Sequence, residues 1–272
     1  MMFKRRDSAT PEPPPSAPEE EELAEGTLIS HLVELRNRLL RAMLAVLLVF
    51  VALVPFAEQL FTLVATPLMR QLPEGASMVA IGVASPFLTP FKLAFFCAIF
   101  VAMPVVIYQV WAFVAPGLYR REKRLAVPLL VSSILLFYLG IAFAYYVVFP
   151  LMFAFFTAVA PAGVTVSTDI GMYLDFVLTL FFAFGLAFEV PIATVLMVWT
   201  GFTTVERLGS YRAYVFLGCF VLGMLLTPPD IISQTLLAVP VYILYEVGLI
   251  MARIFGPERG RATDADPDTQ AR

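Results

Sequence analysis

The chain has 272 residues, 60% of them hydrophobic and 14% charged, with a formal net charge of −3. That composition, with a mean hydropathy of +0.85, excludes a soluble globular domain and marks a polytopic membrane protein. Two cysteines in apolar runs (Cys97 and Cys219), a lone His31 and the lack of a glycine-rich phosphate loop give no reason to expect a disulfide framework, a metal site, a cofactor or bound nucleotide.

Residues 1–27 are rich in Pro, Glu and Ser and read as a disordered tail. The membrane domain is expected over 28–255. It opens on the stretch from His31 to Arg41, where Leu32, Leu35 and Leu39 share a helix face and Glu34 can pair with Arg38. A first span is expected over 39–56, enough for a hydrocarbon core of roughly 30 Å. Residues 57–71 have helical apolar spacing and read as an interfacial helix. A second span covers 86–115 and contains Pro90 and Pro104; its freed carbonyls need donors from neighbouring helices. The charged turn Tyr119-Arg-Arg-Glu-Lys-Arg124 follows. A third span covers 126–158, with a kink expected near Pro150. A fourth covers 170–202 and carries Glu189 and Pro191. Residues 203–212 read as a short polar loop. Two short spans close the domain at 213–227 and 231–252, joined by Pro228-Pro229-Asp230, in which Asp230 reads as a helix N-cap. Residues 256–272 read as a second disordered tail. The fold class is therefore an all-α membrane protein of six spans.

Six spans put both termini and the 116–125 and 203–212 loops on one side, which holds 16 of the 18 Lys and Arg residues. The positive-inside rule makes that side cytoplasmic. Glu189 in mid-span is costly as a bare charge, so it reads as cavity-lining, paired or protonated. Used as a proton-coupling group, it would make the chain a small-solute transporter, the alternative reading. Glu34 and Glu122 stand together as acids at cytoplasmic helix ends beside cations. No nucleophile constellation points to an enzyme.

The stretches HLVELRNRLL (31–40), SPFLTPFKL (85–93), YQVWAFVAPGLYRREKR (108–124), LLVSSILLFYLGIAFAYYVVFP (129–150), AFGLAFEVP (183–191) and MLLTPPDIISQTLLAVPVYILYE (224–246) resemble the TatC family, the multispanning subunit of the twin-arginine protein translocase. The resemblance implies a cupped six-helix receptor in the bacterial inner membrane, with no catalytic residue. It would bind paired-arginine signal peptides of folded precursors through Glu34 and Glu122, with Arg36 and Phe113 beside them. Glu189 would face the concave cavity. Asp230 and Gln234 would serve assembly or transport on the far side, and Met224 and Thr227 would lie near docked partners. Those partners would be single-span TatA- and TatB-type subunits and further copies of the chain, working in the lipid bilayer on the proton motive force. Nucleic acid is not among the implied partners.

Overall fold

A computed structural model describes residues 17–69, 78–114, 123–159, 168–227 and 230–255. The order is α1 (Ala17–Leu53), α2 (Ala57–Met69), β1 (Met78–Val79), α3 (Ser85–Val114), α4 (Lys123–Phe143), α5 (Phe149–Val159), β2 (Thr168–Asp169), α6 (Ile170–Ala187), α7 (Val190–Trp199), α8 (Val205–Ser210), α9 (Arg212–Leu226) and α10 (Ile231–Phe255). Among the described residues, five helical stretches are long and apolar enough to cross a membrane, and α9 is a shorter apolar helix.

Proline chemistry explains most of the irregularities. A 3-10 turn at Val54–Phe56, holding Pro55, joins α1 to α2. A single π-turn at Ala144–Val148 joins α4 to α5 just ahead of Pro150, where a kink is expected; there the Phe149 N–H reaches back to the Ala144 carbonyl. Pro191 ends α6: the chain tightens at Glu189, whose N–H bonds to the Leu186 carbonyl at 3.0 Å, before α7 restarts.

Several of the carbonyls left over find tyrosines. Pro104 has no N–H, so the Phe100 carbonyl four residues earlier lacks its helical donor; Tyr138 of α4 donates its hydroxyl to it at 3.0 Å. Pro67 likewise leaves the Leu63 carbonyl, which accepts from Tyr145 at 3.2 Å. The adjacent Val64 carbonyl accepts from Tyr173 at 2.8 Å. Within hydrocarbon, where water cannot substitute, such bonds fix which helices must be neighbours.

The core lies along α6, with Leu174, Leu180 and Phe184 fully buried beside Leu93 of α3, Phe137 of α4, and Phe149 and Met152 of α5. A second cluster joins Val195 and Trp199 of α7 to Tyr245, Leu249 and Ala252 of α10. Glycines set the closest seams. A Cβ on Gly140 would sit 2.4 Å from the Phe184 carbonyl oxygen, and one on Gly248 would sit 2.9 Å from the Pro191 Cα. Helix α1 packs mainly on α3 and leaves Leu39, Met43, Leu47 and Val51 exposed, as expected of a lipid-facing edge.

Three expectations change. Helix α1 begins at Ala17, so residues 17–27, read as tail, are helical. Residues 205–210 form α8 within the expected loop, started by Thr204, whose hydroxyl accepts from the Arg207 N–H at 3.3 Å. Of the two closing spans, α9 has 15 residues but α10 has 25, because it continues past Glu246 to Phe255. Apolar residues resume after Glu246, so α10 is long and apolar enough to cross a membrane and only α9 of the closing pair is short.

Candidate functional site

The end of the bundle that carries both termini is built from the start of α1, the end of α3 and the loops around α8. Glu34 sits on an α1 helix whose charged positions alternate with exposed leucines. Arg38, one turn on, donates its Nε to Glu34 Oε1 at 2.9 Å and also bonds that oxygen through Nη2. Among the described residues, Oε2 accepts no hydrogen bond, so the carboxylate is oriented yet keeps one open oxygen. Arg36 is exposed on the adjoining face. Phe113 is half-buried at the last turn of α3. The Phe50–Phe95 ring contact, 5.7 Å between centroids, sets the antiparallel register of α1 and α3. Glu34 and Phe113 lie roughly 24 and 27 Å from that contact along their helices, which brings both to the same end. Glu122, the other acid expected there, lies outside the described residues.

On the same end Arg212 makes a bidentate pair with Glu246: Nε to Oε1 at 2.8 Å and Nη2 to Oε2 at 2.9 Å. Tyr242 adds a hydroxyl donated to Oε1 at 2.8 Å. The Trp199 indole donates to the Phe255 carbonyl at 2.8 Å, and Tyr245 to that of Leu208. These bonds tie α7, α8, α9 and α10 into one block.

Glu189 occupies the break between α6 and α7. It accepts a hydrogen bond from Ser133 of α4 on Oε2, while Oε1 is buried with no partner among the described residues. It lines neither the cavities between α3 and α6 nor those beside α2 and α10. Sequence reading missed Ser133 as its partner. The signal available was a small hydroxyl in an otherwise apolar span, which in hydrocarbon seeks a partner on another helix.

At the opposite end Asp230 caps α10, its Oδ1 accepting from the Ser233 N–H at 2.7 Å. Gln234 donates its Nε2 inward to the Phe220 carbonyl at 2.7 Å, across a seam where a Gly223 Cβ would meet Gln234 Cγ at 3.0 Å. Thr227 is buried and donates to the Gly223 carbonyl, whereas Met224 is 53% exposed. Of these four, Met224 is the one whose side chain is most open to a partner. Two further contacts were not foreseen. Lys92 and Asp175 pair across α3 and α6. Asp169 holds the N–H groups of Ile81, Gly171 and Met172, at 2.9, 2.9 and 3.0 Å, clasping the parallel β1–β2 pair to the start of α6. Those donors keep its carboxyl below the ordinary aspartate value of 3.8, the Ile81 bond most of all.

Residues 30–240 match the family model described as Sec-independent protein translocase protein (TatC). The Sec-independent protein translocase protein TatC of Azotobacter chroococcum mcd 1 is 61% identical over 238 residues, 87% of this chain and 93% of that one. Its counterpart in Escherichia coli strain K12 is 57% identical over 235 residues, 86% and 91% of the two chains. A solved structure described as the twin arginine translocase receptor TatC matches with a TM-score of 0.75 and 36% identity, over 82% of this chain and 98% of its own. With its membrane-spanning helices, this chain belongs to the TatC family, as a multi-pass component of the Sec-independent (Tat) protein translocase, a transport protein rather than an enzyme.

Proposed function

We propose that this chain is the receptor core of the translocase, and that it holds the paired arginines of signal peptides at the end of the bundle carrying its termini. The observation that carries the reading is Glu34: an oriented carboxylate with one unoccupied oxygen, level with Phe113. Glu122, the fourth residue of the charged turn Tyr119–Arg124, would supply the second acid. Carboxylates suit this task because each accepts a planar guanidinium in a forked geometry that an ammonium cannot copy. Each charge-assisted hydrogen bond contributes roughly 1.5–3 kcal/mol. Arg38 holds the Glu34 carboxylate in orientation before the guest arrives and can yield its bond when a guest guanidinium takes the open oxygen. The solved relative described as a receptor supports the assignment.

On this reading both termini are cytoplasmic, as the Lys and Arg distribution argues, and the membrane is the bacterial inner membrane. Single-span TatA- and TatB-type subunits dock on α9 and α10. Their exposed apolar faces, including Met224, Leu225, Ile232 and Ile243, support this. Copies of the chain associate in the working complex, and the proton motive force drives transport of the folded cargo. Glu189 serves at the helix break between α6 and α7, its carboxylate held by Ser133 of α4. Asp230, Gln234 and Thr227 set the shape of the α9–α10 turn on the far side.

Photocrosslinkers placed at Glu34, Phe113, Glu122 and Met224 test this with a twin-arginine precursor and single-span partners present. The first three should capture the precursor and the fourth a partner. Capture of the precursor at Met224 alone would put the peptide site elsewhere.

A further inference from the structure

Helices α3 and α6 enclose a furrow at the end of the bundle opposite the termini. Two cavities, of about 650 and 560 Å³, both include Lys92 and Asp175, so they form one continuous trough. Its outer half carries the hydroxyls of Ser85 and Thr89 among small and apolar residues such as Ala84, Leu88 and Leu174. Its inner half is apolar, with Phe96, Phe182 and Leu186 leading to Leu226 of α9. From Gly171 to Leu186 the trough follows α6 for roughly 22 Å. Lys92 and Asp175 stand where the two halves meet and, among the described residues, are the only charged ones lining either half. They pair with each other, yet their side chains remain 48% and 57% exposed. A carboxylate and an ammonium held side by side, half open, in an otherwise largely apolar trough, are the complement of an amphiphile whose head carries both charges.

We propose that this furrow binds one zwitterionic phospholipid of the ethanolamine type from the adjoining leaflet. Its phosphate would lie on the Lys92 ammonium, its own ammonium would donate to the Asp175 carboxylate, and an acyl chain would run along Phe96, Phe182 and Leu186. A purely anionic head would meet the Asp175 charge unpaired, and a head without charge would use neither group. A choline head has no N–H to donate to the carboxylate. Cavities of these volumes suit a small ligand, whereas a polypeptide helix with its side chains is about 10–12 Å across. The bound lipid would wedge the far end of α3 against α6, next to the Asp169 clasp. The inference does not depend on where the signal peptide binds.

The test uses the full chain in liposomes containing trace lipids with a diazirine on the acyl chain and one of three heads: ethanolamine phosphate, glycerol phosphate, or none (diacylglycerol). Adducts are mapped by mass spectrometry. Labelling around Phe182–Leu186 should favour the ethanolamine lipid by about tenfold, the loss that corresponds to one missing charge-assisted hydrogen bond. Asp175→Asn and Lys92→Gln should each remove that preference. Ala183→Trp, which fills the apolar half and leaves both charges, should abolish labelling there by all three lipids, while labelling at lipid-facing Leu44 stays unchanged. The comparison of heads on the unaltered chain stands even where a variant fails to fold. Equal labelling by the three heads would reduce the furrow to ordinary annular contact and overturn the proposal. So would an ethanolamine preference untouched by both charge variants. A photocrosslinker at Leu186 that captures protein rather than lipid in native membranes would assign the furrow to a helix instead.

Discussion

Replacing Gly140 with alanine tests the tightest helix seam in the bundle. The added Cβ would lie 2.4 Å from the Phe184 carbonyl oxygen and 2.9 Å from its carbon, both backbone atoms of α6. An ordinary contact begins near 3.4 Å, so α4 and α6 must part by about 1 Å. The side chains along the seam, Phe137 and Phe184, are fully buried and have no free space to follow. Overpacking of this kind costs roughly 1–3 kcal/mol. The helix preference of alanine over glycine returns up to ~1 kcal/mol. The net is a destabilisation of about 0–2 kcal/mol against the wild type, and of about 1–3 kcal/mol against a glycine-to-alanine change that meets no clash. The same parting would stretch the Ser133–Glu189 bond, two turns along the seam. Gly218 on α9 is the control, since a Cβ there meets nothing within 4 Å; Gly218→Ala should be neutral or stabilising. Thermal unfolding of the purified chain in mild detergent reads both. A Gly140→Ala variant as stable as Gly218→Ala would refute the close approach of α4 and α6.

Tyr138→Phe should cost about 1 kcal/mol by leaving the Phe100 carbonyl, already deprived of its donor by Pro104, without a partner in hydrocarbon; unfolding in detergent checks it, and a neutral result would mean that carbonyl finds another donor. Ser133→Ala should destabilise by roughly 1–3 kcal/mol by stripping the donor from Glu189, while Ser132→Ala next to it should not; the two melting curves decide. Asp169 has a folded value below that of the unfolded chain, so its clasp contributes stability above about pH 4 that is lost as the pH falls through the folded value. Melting temperatures taken from about pH 6 down to about pH 3 should therefore fall more steeply in the wild-type chain than in Asp169→Asn. Parallel curves would deny the carboxylate its role.

Much of the architecture is written in local chemistry. The spans announce themselves because a hydrocarbon solvent tolerates little else, and Pro150, Pro191 and Asp230 mark a π-turn, a break and a cap at or beside their own positions. What the sequence hides is pairing between distant helices. Ser133 and Glu189, Lys92 and Asp175, and Arg212 and Glu246 are separated by tens of residues, and nothing local to any one of them names its partner. The tyrosines are an intermediate case. That Pro104 needs a donor for the Phe100 carbonyl is legible, but that Tyr138 supplies it depends on how α3 and α4 pack. The α8 turn escaped because its six residues are too short to show a period and its cap, Thr204, looks like any loop threonine. At the candidate site, Glu34 was legible as a partner of Arg38 from spacing alone; its level with Phe113 follows only from the α1–α3 register.

The central claim is that Glu34 and Glu122 receive two guanidinium groups. Its most direct test is the affinity of the purified chain for a fluorescent signal peptide carrying Arg-Arg, against the same peptide with Lys-Lys, for the wild type, Glu34→Gln and Glu122→Gln. Tight binding of the arginine peptide, at least about tenfold over the lysine one, that falls to the lysine level in each variant is the expected result. An arginine preference that survives both substitutions would contradict the account.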